Sequence, residues 1–303
     1  MRLLPTWLHP IASVVLPSNW RSASYIAEAK KLLVPEIKRR RAEHSPEAGP
    51  EKGDQSKQNL LSWMMEVAQG LEHSPTHLAH LEIVVSLASI HTSQMNAVHA
   101  IYDLATHPEY VEPLREEIRE AARADGGWNK TSYAHLRKLD SFLKESQRFN
   151  PPSLLSYHRV MERNHVLSDG TRLSKGTHIA MAVNAIQNDP DITPEPAHFD
   201  GLRYYKLRER PGESHLHQFA TTENTLLNFG HGKNACPGRF FASLEIKVIL
   251  VQLIMNYDFK LVGGKRPENL TAHEFIFPNP EGRLLVKARP MSERFSFGQG
   301  ETA

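Results

Sequence analysis

The sequence predicts a mainly helical chain with a small β-rich portion, folded as one domain over residues 1–303. Three observations carry this. Thr76 to Thr106 is the longest run of apolar residues at helical spacing. After Pro152 the pattern changes to short extended runs and turns, beginning with Ser156-Tyr157-His158-Arg159-Val160. A glycine-rich loop, Phe229-Gly230-His231-Gly232-Lys233-Asn234-Ala235-Cys236-Pro237-Gly238-Arg239, then leads straight into an apolar helical run, Phe240 to Leu250.

The helical part begins with Trp20 to about Arg41, where Tyr25, Ile26, Ala29, Leu32, Leu33 and Ile37 recur at helical spacing and Pro35 is a candidate kink. Glu43 to Gln58 is polar and holds Pro46, Gly49, Pro50 and Gly53, the composition of a surface loop. Leu60 to Gln69 is a short helix ended by Gly70. In the long helix, residues 81–90 are apolar almost all round, which predicts burial. Ala88-Ser89-Ile90-His91-Thr92-Ser93 sets polar groups in that run. A buried Thr can bond the carbonyl one turn back and loosen the backbone. Pro108 starts the next helix, Glu109 to about Ala124, and Gly126-Gly127 ends it. Thr131 or Ser132 caps a helix running to Phe149, in which Glu145 and Arg148 share a face at i,i+3.

In the β-rich part, Asp169-Gly170 marks a hairpin turn and Gly176 to Val183 a further strand. Tyr204 to Asn228 reads as a long polar loop, a feature that is usually functional. Tyr257 to Val262 and Arg283 to Lys287 read as strands flanking Phe275 to Pro280, and the tail from Met291 as frayed.

Composition narrows the function. With 40% hydrophobic and 23% charged residues the chain can bury a large core. A net charge of +2 argues against an electrostatic nucleic-acid binder, and Lys38-Arg39-Arg40-Arg41 is a short solvated helix end. One cysteine excludes an internal disulfide and fits a reducing compartment. No run reaches the ~18 apolar residues of a membrane span. Met1 to Leu16 faintly imitates a signal peptide, but Pro5, His9 and Pro10 interrupt it. It reads better as an apolar segment lying against protein or membrane.

The lone Cys236 carries the chemistry. A thiol binds metal as thiolate, and the unpaired N–H groups of a helix N-terminus favour that form. Pro237 suits a first helical turn. Gly230, Gly232 and Gly238 permit positive φ and close approach to a flat ligand. Phe229 is placed to shield the sulfur. One cysteine cannot build a structural zinc site, but it can be the axial ligand of a haem. The plain alternative is a free cysteine in a glycine-rich turn.

The loop resembles the haem-binding signature of the cytochrome P450 family of haem-thiolate monooxygenases, Phe-Gly-x-Gly-x-basic-x-Cys-x-Gly, with Asn234 in place of the basic residue and Lys233 beside it. Other motifs follow in order. Ala88 to Ser93 resembles the oxygen-activation segment, with Thr92 on its threonine, His91 in place of its acid and Ser89 in place of its glycine. Glu145-Ser146-Gln147-Arg148 resembles the Glu-x-x-Arg motif, and Asn188 to Arg203 the segment whose arginine joins it. The sequence looks most like the fungal microsomal branch. The match begins within the family fold, so the membrane anchor and early helices have no counterpart, and the chain is expected to be an N-terminally truncated member.

The resemblance implies a haem b cofactor held by Cys236 on iron. Phe229, Gly230, Lys233, Asn234 and Gly238 would form the cofactor loop, and Arg159 would bind a propionate. Thr92 and His91 would manage protons. Glu145, Arg148 and Arg203 would form a structural triad. Val84, Val85, Leu87, Ala88, Leu154, Leu155 and Ile276 would touch substrate. Implied partners are dioxygen, an NADPH-dependent flavoprotein reductase facing the 204–228 loop, and an apolar small molecule of fungal secondary metabolism; nucleic acid is not among them. The family sits at the endoplasmic-reticulum membrane. Without a spanning segment this chain would be cytoplasmic or peripheral on the cytosolic face. The competing expectation is a truncated, non-catalytic relic that binds haem weakly or not at all.

Overall fold

The computed structural model describes residues 8–43 and 59–295. The first seven residues, most of the expected 43–58 loop and the tail beyond 295 lie outside them. The chain divides into two compact units, Met1–Ile90 and His91–Ala303, and the division falls within one helix.

In the first unit, α1 (His9–Val15) is followed by α2 (Pro17–Glu43). Pro35 lies inside α2 without ending it. Arg39 and Arg40 both reach back to Glu36, at 2.7 Å, so this basic run is paired along its own helix. Helix α3 (Leu60–Val67) is capped by Asn59, whose side chain accepts from the Ser62 N–H at 3.2 Å. A 3-10 turn, Gly70–His73, leads to α4 (Pro75–Thr106). Ile37, Leu61, Leu78 and Ala79 form a small core, with Leu33, Val34, Met64, Met65 and Ala68 packed on it.

Tyr25 and Leu32, at helical spacing in α2, are exposed. One expectation of burial fails. The 81–90 stretch of α4 is not buried: Val84, Val85, Leu87 and Ile90 are all 40% exposed or more. The small core takes only the first turns of this helix, at Leu78 and Ala79, and no residue between Leu81 and Thr92 is buried.

In the second unit the rest of α4 joins α5 (Val111–Ala124), α6 (Ser132–His135), α7 (Arg137–Phe149) and α10 (Arg239–Asn256). Ala97, Ala100 and Leu104 from α4 meet Leu114 and Ile118 from α5, Leu139, Phe142 and Leu143 from α7, and Ile246, Leu250 and Ile254 from α10. These positions recur every three or four residues, the period that puts one stripe of a helix into a core. The described strands form four antiparallel pairs. β1 (Ser156–Val160) pairs with β4 (His178–Met181), and β2 (His165–Val166) with β3 (Arg172–Leu173). β5 (Tyr257–Leu261) pairs with β8 (Leu284–Ala288), and β6 (Leu270–Ala272) with β7 (Phe275–Phe277). The β2–β3 turn uses Gly170 at φ 87°, and Asp169 accepts from the Thr171 N–H at 2.9 Å.

Three boundaries differ from the sequence reading. The helix expected up to Phe149 breaks at Leu136 (φ −77°, ψ 69°), because the cap of α7 comes from α5: Glu117 accepts from the Lys138 N–H at 2.5 Å and the Leu139 N–H at 3.0 Å. The strand expected to Val183 ends at Met181, and Val183 begins α8 (Val183–Gln187). The loop expected from Tyr204 opens with α9 (Arg203–Arg208) instead. A cavity of about 260 Å³ lies between α5 and β5, lined by Pro108, Val111, Arg115 and Phe259 among others, and none of its lining residues is a candidate site residue.

Candidate haem-binding site

The Cys236 loop is closed by its own backbone. The Cys236 N–H donates to the Phe229 carbonyl at 2.7 Å, Gly230 N–H to Leu227 at 2.8 Å, and Ala235 N–H to Gly232 at 3.0 Å. The fold-back requires a glycine at 230. Its φ is 72°, and a Cβ there would lie 3.1 Å from the Asn234 carbonyl oxygen. Lys233 and Asn234 sit side by side on an exposed 3-10 turn, Gly232–Asn234.

The Cys236 thiol is exposed. The Phe229 ring packs edge-on against Phe219 at 5.3 Å and against the helical core, so it anchors the loop. Gly238 has φ −82°, within reach of any residue, and an added Cβ would lie 4.0 Å from the sulfur, an ordinary contact. Pro237 precedes the helix N-cap instead of occupying its first turn. Arg239, which the sequence reading passed over, closes the other side. Its guanidinium donates to the Cys236 carbonyl at 2.8 Å and lies 4.4 Å over the Phe240 ring. A cation three residues after the only cysteine was the available signal.

These residues fit a haem. Among the described residues no group of three or more His, Cys, Asp or Glu could hold a metal ion, so iron at Cys236 needs donors carried by its own macrocycle. The loop offers one accessible thiol, beside glycines whose lack of side chain lets a flat group approach.

On α7, Glu145 and Arg148 are fully buried and form a two-pronged pair, Nη2 to Oε1 at 2.7 Å and Nε to Oε2 at 2.9 Å. Arg203 Nε donates to both Glu145 oxygens at 3.2 Å. The same two arginines hold the 188–200 segment. Arg148 donates to Asn188 at 2.6 Å and to the Pro196 carbonyl at 2.9 Å; Arg203 donates to the carbonyls of Pro194 at 2.7 Å and His198 at 2.9 Å. The Asp200 N–H returns to Glu145 at 3.1 Å. One buried carboxylate thus ties α7 to the chain leading into the 204–228 segment.

Lys144 extends the tie. It is buried, donates to the Gln218 carbonyl at 3.2 Å, and pairs with Glu223. Burial pushes its ammonium below the usual lysine range, and Glu223 opposes the shift. Its neighbours one turn away on α7, Asp140, Ser141, Gln147 and Arg148, are all polar, so nothing in the local sequence marks it as buried.

Thr92 and His91 lie exposed on α4, and the Thr92 carbonyl accepts from Asn96 Nδ2 at 2.9 Å. Arg159 is exposed on β1; its guanidinium donates to the His158 carbonyl at 2.8 Å and stands 5.6 Å over the Tyr157 ring. The structure therefore gathers Glu145, Arg148 and Arg203 into one cluster and Phe229 to Arg239 into one loop. Of the expected substrate contacts, Val84, Val85, Leu87, Ala88 and Leu155 are exposed, while Leu154 and Ile276 are half-buried beside the β6–β7 pair, where the Leu154 N–H donates to the Glu274 carbonyl at 2.6 Å.

Comparison with known proteins places this geometry. The chain is 50% identical over 291 residues to cytochrome P450 monooxygenase AN1598 of Emericella nidulans, covering 95% of this chain and 54% of that protein. It is 40% identical over 298 residues to an ent-kaurene oxidase of Gibberella intermedia, covering 97% and 54%. It thus spans about half the length of these relatives. The fold is similar to that of retinoic-acid-bound cyanobacterial CYP120A1, with a TM-score of 0.69 at 22% identity, covering 89% of this chain and 57% of that one. The family model for cytochrome P450 matches residues 2–286, and the chain accordingly belongs to the cytochrome P450 family.

Proposed function

We propose that this chain acts as a haem-thiolate monooxygenase, with haem b ligated by Cys236, and oxidises an apolar small molecule in fungal secondary metabolism. The observation that carries the reading is the single exposed thiol on a backbone-closed loop at the head of α10. When bound, the haem would supply dioxygen activation, with one oxygen atom entering substrate and the other leaving as water at the expense of two electrons and two protons. The chain's residues do the rest. Cys236 gives thiolate electron density to the iron. Phe229 and Arg239 fix the loop from its two sides. Arg159 and Lys233 supply positive charge for the propionates. The exposed His91 takes protons from solvent beside Thr92, whose hydroxyl holds one for delivery. Electrons come from an NADPH-dependent flavoprotein reductase. Among the described residues no helix is long and apolar enough to cross a membrane; the fungal relatives support a place at the endoplasmic-reticulum membrane, and we infer a peripheral one on its cytosolic face.

The ent-kaurene oxidase relative supports an apolar substrate. Asn234 favours a second reading, a non-catalytic relic, because it brings no charge to the loop position that is basic in the family signature. Haem reconstitution of Cys236→Ser separates them. The monooxygenase reading predicts that the unchanged chain takes up haem with a thiolate spectrum and that the variant loses this signature. An identical spectrum in both overturns the assignment of Cys236.

A further inference from the structure

Helix α7 carries two kinds of contact on opposite sides. Glu145 and Arg148 face the 188–203 segment, whereas Ser146, Gln147 and Asn150 face α4. The α4 contacts form two levels. At the lower level Ser146 and Asn150 donate to Asp103 at 2.6 and 3.0 Å, and Arg266 completes a buried hub with Asp103, His99 and Asn150. At the upper level, two turns earlier on α4, a single bond bridges the helices: Gln147 Nε2 donates to Asn96 Oδ1 at 3.0 Å.

That bond sits in the middle of a chain. Asn96 Nδ2 passes on to the Thr92 carbonyl at 2.9 Å. From the other end, Asn228 Nδ2 donates to the Gln147 carbonyl at 3.3 Å. Asn228 adjoins Phe229, whose carbonyl closes the Cys236 loop at 2.7 Å. Each amide is used with a defined polarity: Asn96 accepts with its oxygen and donates with its nitrogen. Gln147 is 4% exposed, so water cannot readily replace its bond.

We infer that Gln147 and Asn96 are positioning residues that hold the Thr92 turn of α4 in register with the Cys236 loop. The extra bond on the Thr92 carbonyl orients that turn, and Gln147 transmits its position to the residue leading into the loop. The inference rests on the haem-thiolate reading for its functional meaning, since Thr92 and Cys236 matter together only there. The coupling itself is a property of the protein without cofactor.

Hydrogen exchange of the haem-free full chain tests it. In Gln147→Leu, which keeps the backbone carbonyl that Asn228 uses, amides in the 89–97 turn are expected to exchange about fivefold faster, the factor carried by one hydrogen bond of ordinary net strength, while the Asp103 level stays protected; Asn228→Leu, which removes the other link, should loosen the 229–236 loop by a similar factor. Asn96→Asp keeps an acceptor for Gln147 but loses the donor to Thr92, so it should loosen the 89–97 turn and leave the loop unchanged. Gln147→Leu combined with Asn96→Leu should loosen the 89–97 turn no more than Asn96→Leu alone, which already removes both bonds. If Gln147→Leu does not fold, Asn96→Leu removes the same bond from a half-buried position. Unchanged exchange of the 89–97 turn in Gln147→Leu or of the 229–236 loop in Asn228→Leu, or a uniform rise throughout residues 91–295, overturns the inference. Loss of the thiolate spectrum in the unchanged chain overturns the haem reading instead, and the exchange result stands apart from it.

Discussion

At the scale of the residue, the buried charges discriminate most sharply. Glu145 is fully buried and offset by two arginines of unequal weight: Arg148 is fully buried and bidentate, whereas Arg203 is 13% exposed at its side chain and reaches Glu145 through Nε alone. Removing a partner of a buried pair leaves an uncompensated charge and costs about 3–5 kcal/mol. Arg148→Ala is therefore expected to approach that loss in urea unfolding, and Arg203→Ala to fall well short of it. Equal tolerance of both would show that Glu145 does not carry its charge in the fold.

His99 gives a pH dependence. It is 2% exposed, burial pushes its pKa down to about 3, and Arg266 adds to the shift. The folded chain refuses a proton that the unfolded chain accepts below the ordinary value of 6.5. Its contribution is complete above 6.5 and is lost as pH falls toward 3. On going from pH 7 to pH 5, His99→Gln should lose less of its urea midpoint, or gain more, than the unchanged chain does.

At the scale of the element, much of the helical pattern is legible. The helix expected over Thr76 to Thr106 is α4, and the run from Phe240 is α10, because their apolar periodicity is long and their boundaries carry Pro75 and Gly238. The α6–α7 break was not legible. Its cause is a carboxylate 21 residues upstream, and no local capping residue announces it. Glu117 makes this cap testable. Burial pushes its pKa up to about 7 against the two N–H bonds it accepts. The folded chain then holds a proton that the unfolded chain releases above 4.5, so stability falls as pH rises from 4.5 to about 7. Glu117→Gln should remove that slope, and a slope unchanged in the variant would refute the assignment.

Burial was also misread along α4. Leu81 to Ile90 is apolar all round, which sequence logic equates with a buried helix, yet Leu87 is 58% exposed and Ile90 60%. Periodicity reports how much apolar surface a helix has; it does not report what covers that surface.

At the scale of the whole molecule, the candidate site was legible where it is local in sequence. The Phe229 to Gly238 loop states its own closure through Gly230 and its own ligand through Cys236. Glu145 and Arg148 share a face by spacing alone. Arg239, Lys144, Gln147 and Asn96 were not legible as site residues, because their partners come from other elements. The family assignment rests on residues 2–286, whereas the haem-thiolate reading rests on one thiol in this loop, Cys236.

The reduced, carbon-monoxide difference spectrum of the purified, haem-reconstituted chain tests that claim most directly. A strongly red-shifted Soret band, the mark of thiolate on iron, is expected. A Soret band without that shift, or no haem uptake, would contradict it.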